Sequence, residues 1–111
     1  MLRLPAGIKV WVSIAPVDMR KSFDGLAALV QTQWQQDVMS GQLFVFMSKR
    51  KDRVKVLYWD ENGFALWCKR LESGVYRLPR VEKTVVKMSM VELSLLLEGI
   101  DLTDKRRLKA V

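Results

Sequence analysis

Residues 41 to 74, GQLFVFMSKRKDRVKVLYWDENGFALWCKRLESG, decide the fold. LFVFM at 43 to 47 is apolar at every position, which suits a strand covered on both faces inside a sheet. Val54 to Trp59 and Phe64 to Lys69 are two more runs of β-branched and aromatic residues. They are joined through Asp60, Glu61, Asn62 and Gly63. Asn-Gly is the strongest short hairpin signal because both residues tolerate positive φ, so Gly63 is expected there. A two-residue loop sets Lys55 opposite Arg70, and a three-residue loop with a bulge sets it opposite Lys69. Like charges facing one another on a sheet cost a few tenths up to about 1 kcal/mol. A partner bringing negative charge would relieve that cost.

Upstream, Ile8 to Ile14 mixes Val, Ile and Trp between Gly7 and Pro16 and reads as a first strand. Apolar residues then recur at Phe23, Leu26, Ala27, Val30 and Trp34, the spacing of a helix over 23 to 35 with one buried stripe. Asp18 or Ser22 would cap it, while Gly25 weakens its first turn. Ser40 and Gly41 end that segment. Downstream, Ser89 with Glu92 predicts a capping box for a second helix, Met90 to Glu98, apolar nearly all round and stopped by Gly99. The basic tail from about 101, DLTDKRRLKAV, reads as a fraying end.

The 111 residues, half of them hydrophobic, suit one domain with its own core. Cys68 is the only cysteine and histidine is absent, which removes disulfides, Cys/His zinc sites and His-dependent triads together. Cys68, between Trp67 and Lys69, reads as a small buried hydrophobe. Asp18, Asp24, Asp60 and Glu61 are the acids that could build a two-cation nuclease site, and caps and turns explain them better. MLRLPAGIKVWV lacks the long apolar core of a signal peptide, and no apolar run approaches a membrane span, so a cytoplasmic location is expected.

Charge is distributed unevenly. Residues 49 to 87 hold 11 of the 19 Lys and Arg against five acids, a net of +6; the first 48 residues carry +1 and the last 24 carry zero. A concentrated field of one sign attracts an anionic polymer or an acidic protein surface. The SKRKDR loop offers Lys49, Arg50, Lys51 and Arg53 as phosphate contacts, a set that gives a salt slope of about −3.6. Lys55, Lys69 and Arg70 extend it, and Arg20 with Lys21 is a second pair that could hold an anion or form surface ion pairs. Trp59, Phe64 and Trp67 could stack on unpaired bases, although aromatics on strands more often pack in a core.

DMRKSFDGLAALV at 18 to 30, GQLFVF at 41 to 46, KRKDRVKVLYWDENGF at 49 to 64 and LWCKRLESG at 66 to 74 together resemble the small TnpB-type accessory proteins of the IS-sixty-six insertion-sequence family. These are distinct from the much longer RNA-guided nucleases that share the name. Ser22 stands where the pattern has Gly, and Leu78-Pro79 where it has Trp-Pro. The resemblance implies a bacterial mobile element, a companion transposase encoded beside this gene, and a helper role in transposition, with no catalytic residue to carry across.

The expected fold is therefore α+β: a small single domain over 1 to 111 with a three- to four-stranded, mostly antiparallel sheet, one helix after the first strand and one C-terminal helix. The expected function is non-enzymatic, an accessory subunit touching DNA phosphates through the basic hairpin region. The alternative is an adaptor that binds the transposase without touching DNA. No cofactor, metal, membrane or small-molecule substrate is expected.

Overall fold

The computed structural model describes residues 7–99; the basic tail lies outside that range. Five strands, β1 (Val10–Ser13), β2 (Leu43–Met47), β3 (Arg53–Asp60), β4 (Gly63–Arg70) and β5 (Val85–Met88), form one sheet in the order β4-β3-β2-β1-β5. Two helices, α1 (Phe23–Thr32) and α2 (Met90–Leu97), complete the elements. None of the described helices is long and apolar enough to cross a membrane.

The α+β class stands, and the strand count and pairing are corrected. β1 and β2 run parallel because α1 carries the chain back between them, so the sheet is mixed. β5, with Val85, Val86, Lys87 and Met88, is a fifth strand, paired antiparallel to β1. At four residues, with no turn residues marking it, it carries little sequence signal.

LFVFM occupies the centre of the sheet and is buried at all five positions. Alternation divides its side chains between two cores. Phe44 and Phe46 join Leu26 and Val30 of α1, Val38 and Leu57 on one face. Leu43, Val45 and Met47 join Val10, Val12, Val54, Val56, Tyr76 and the α2 leucines Leu93, Leu96 and Leu97 on the other.

α1 ends at Thr32 rather than at 35. Gln35 turns left-handed at φ 53°, and Trp34 stacks on Phe46 with ring centroids 5.0 Å apart. Continuing the helix would forgo that contact. Neither expected cap acts on α1: Ser22 holds the N-cap position without a side-chain hydrogen bond, and Asp18 is engaged with Arg20. At α2 the expected capping box is present, Ser89 Oγ accepting from the Glu92 amide at 3.1 Å and Glu92 Oε1 from the Ser89 amide at 3.2 Å. Gly99 follows at φ 88°.

The hairpin exists, with a different turn and register. β3 pairs with β4 through Trp59↔Phe64 and Asp60↔Gly63, so Glu61 and Asn62 form the loop. Glu61 takes the positive φ, 55°, Gly63 does not, and the Asn62 amide donates to the Asp60 carbonyl. This register sets Leu57 against Leu66 and Trp59 edge-on to Phe64 at 5.1 Å. A loop at Asn62-Gly63 would have set Val56 against Lys69. Packing of the strand bodies outweighs the turn preference. Consequently Lys55 faces Cys68 instead of Arg70 or Lys69, and the like-charged pair is Arg53↔Arg70.

Candidate nucleic-acid interface

The sheet brings three separate stretches to one end. The C-terminal ends of β1, β2 and β4 and the N-terminal ends of β3 and β5 lie together, and so do the segments that leave or enter them, 14–22, 48–53 and 69–84. This end carries Arg20, Lys21, Lys49, Arg50, Lys51, Arg53, Lys69, Arg70, Arg77, Arg80 and Lys83, eleven cations, against Asp18, Asp52, Glu72 and Glu82, four carboxylates. The difference equals the whole formal excess of +7. All eleven cations are exposed.

The 48–53 loop is built rather than loose. The Ser48 amide donates to the Arg53 carbonyl (3.1 Å) and the Lys51 amide to the Ser48 carbonyl (3.0 Å), with Lys51 left-handed at φ 60°. Ser48 Oγ accepts from the Arg53 amide and donates to Asp52 Oδ1, both at 3.1 Å. Carbonyls on the loop's other side take amides from the following connection, Asp52 from Leu71 (2.8 Å) and Lys51 from Tyr76 (2.7 Å). Tyr76 anchors that connection because its ring is buried in the core. Four cations are thus presented on a frame held by backbone hydrogen bonds at Ser48, Lys51, Asp52 and Arg53, which lowers the ordering cost of meeting a ligand.

Two grooves flank the loop. One, of about 530 Å³, is lined by Met19, Arg53, Lys55, Cys68, Arg70 and neighbours. The other, of about 300 Å³, is lined by Lys51, Tyr76, Arg77, Arg80 and neighbours. Arg53 and Arg70 sit directly across from one another in the first. Lys69 alternates to the other sheet face, that of Trp67, beside Ser94 and Glu98. Arg77, Arg80 and Lys83 were legible only as charge within residues 49 to 87, because their irregular segment has no periodicity to place them.

Lys55 behaves differently from the rest. It is half-buried, and its Nζ donates to the Met19 and Lys21 carbonyls, both at 2.8 Å, fastening β3 to the segment before α1. Asp18 accepts a forked bond from the Arg20 guanidinium and one from the Arg20 amide, which hold its carboxyl down at about 2, below the usual 3.8. Arg20 is therefore part of a surface ion pair, and Lys21 is exposed beside it.

Cys68 is exposed, not buried, because β4 is the sheet edge and, on this face, only Phe64 and Leu66 of β4 pack against the α1-side core. Trp59 and Phe64 pack on each other and Trp67 packs against the α2-side core. The four acids considered for catalysis do not converge: Asp18 is tied to Arg20 at the basic end, Asp24 lies in the first turn of α1, and Asp60 and Glu61 lie at the opposite end of β3 and β4. Among the described residues no three or more of Asp, Glu and Cys come together in a metal-binding group.

A family model described as IS66 Orf2 like protein matches residues 8–107. Similar curated proteins come from Sinorhizobium fredii (strain NBRC 101917 / NGR234). Uncharacterized protein y4jC is 42% identical over 101 residues, covering 91% of this chain and 86% of its own. Uncharacterized protein y4hO is 37% identical over 100 residues, covering 88% of this chain and 87% of its own. No solved structure matches.

Proposed function

The chain belongs to the IS66 Orf2-like family, whose members imply an accessory role in transposition, and from that premise we propose that it is a non-catalytic subunit binding DNA phosphates with its basic end. The observation that carries this reading is the gathering of eleven cations and four carboxylates from three separate segments at one end of the sheet. Lys49, Arg50, Lys51 and Arg53 supply the central contacts, with Arg70, Lys69, Arg77 and Arg80 on either side. Lys55 keeps the segment before α1 in place, and Lys21 lies at the margin. Contacts of this kind fix position on a duplex and carry no base information, so affinity depends on salt and little on sequence.

The test replaces Lys49, Arg50, Lys51 and Arg53 together by Ala and titrates DNA of several sequences at a series of salt concentrations. Binding should weaken for every sequence, and the slope of log affinity against log salt should become shallower by about 3 to 4. Folding should survive, because exposed substitutions of this kind cost about 0.5 kcal/mol or less each. A variant that keeps full DNA affinity while losing the companion transposase would assign the basic end to an acidic protein surface instead.

A further inference from the structure

We propose that two copies of this chain pair through the open edge of β4, antiparallel about a two-fold axis at Leu66, joining two five-stranded sheets into one. The two edges of the sheet are unequal: β5 presents four residues and β4 presents eight. A long edge with half-exposed apolar side chains is a template for another strand. On β4 these are Phe64, Leu66 and Trp67.

The backbone phase of that edge follows from the bonds on its inner side. The Leu71 amide donates to the Asp52 carbonyl, and these two residues continue the β3–β4 register. On the far side of β3, the Arg53 carbonyl accepts from Ser48 of the β2 extension. Odd-numbered residues of β4 therefore bond inward to β3, and Phe64, Leu66, Cys68 and Arg70 direct their amides and carbonyls to the open edge. A two-fold pairing must match even residues with even residues.

Among registers that meet this condition, the one centred on Leu66 also matches the side chains. It sets Phe64 opposite Cys68, Leu66 opposite its own copy and Ala65 opposite Trp67, so large residues meet small ones on both faces. Lys69 falls opposite Gly63, and Arg70 falls beside the partner copy's Glu61-Asn62 turn, where the acids Asp60 and Glu61 lie. No like charges face one another. The strand has acids at one end and cations at the other, so antiparallel self-pairing is the arrangement that brings them together. Among the described residues, no backbone bond is made to that edge.

Sedimentation equilibrium of the full chain over a concentration series should show a monomer–dimer equilibrium. Cys68→Pro removes one outward amide per copy without touching the β3 ladder, and it should weaken the dimer by about 10- to 100-fold. In a Cys68→Ser background, Leu66→Cys should give a disulfide-linked dimer on mild oxidation, because directly opposed hydrogen-bonded residues lie about 5.5 Å apart, within disulfide reach. The native Cys68, opposite Phe64, should not link. A monomer at every concentration, a dimer unaffected by Cys68→Pro, or linkage through Cys68 in preference to position 66 would each overturn the proposal.

Discussion

Replacing Lys55 by Met separates the two roles open to this residue, because Met keeps the apolar stem and removes the ammonium. The structure gives that ammonium two carbonyl acceptors at 2.8 Å, one in a partly buried setting and one exposed. Hydrogen bonds from a charged donor contribute about 1.5–3 kcal/mol each when shielded, and the exposed one contributes at the bottom of that range or less. The expected loss is about 2 kcal/mol, equivalent to a fall in Tm of about 8 °C for a domain of this size. Urea unfolding followed by tryptophan fluorescence reads it directly: the midpoint should fall while the denaturant slope is unchanged. DNA affinity at a temperature where the variant is folded should drop much less than for the quadruple loop variant. An unfolding free energy within about 0.5 kcal/mol of the parent, together with a large loss of DNA affinity, would refute the reasoning and make Lys55 a ligand contact.

Two further substitutions have outcomes that ordinary damage would not give. Arg70→Gln removes the like-charge apposition with Arg53 together with an exposed ion pair to Glu72 at 3.5 Å, so stability should stay within a few tenths of a kcal/mol of the parent while the DNA salt slope becomes shallower by about 0.9; markedly lower stability with unchanged affinity would contradict both assignments. Tyr76→Phe deletes a buried hydroxyl that has no hydrogen-bond partner among the described residues and whose ionisation burial pushes up. Chemical denaturation should show this variant as stable as the parent or more so, and a loss above about 1 kcal/mol would reveal a partner for that oxygen.

The elements that could be read from the chain were those whose chemistry is local. LFVFM announced a central strand because every position is apolar, and Ser89 with Glu92 announced a helix start because both halves of the box lie within one turn. Decisions made by distant residues were not legible. The turn moved to Glu61-Asn62 because Leu57, Trp59, Phe64 and Leu66 select the register, and α1 stopped early because Phe46 captures Trp34. For the site, the cations at 49 to 53 could be found as a run. Their grouping with Arg77 and Arg80 depends on Tyr76 docking against Lys51, a contact between residues with no shared pattern. Lys55 was indistinguishable in sequence from its neighbours because its acceptors are carbonyls more than thirty positions away.

Among the described residues, gathering eleven cations against four carboxylates at one end gives the molecule a permanent electric moment as well as a net charge. In the field of a polyanion such a body is turned as it approaches, so its first collisions are already made with the basic end foremost. The gain is in the rate of productive encounter, and it fades as added salt shortens the field to about 10 Å at 0.1 M. Moving the same number of cations to the opposite end of the sheet would leave the isoelectric point untouched and reverse this orientation, which makes the placement of charge, independently of its amount, a property of the fold.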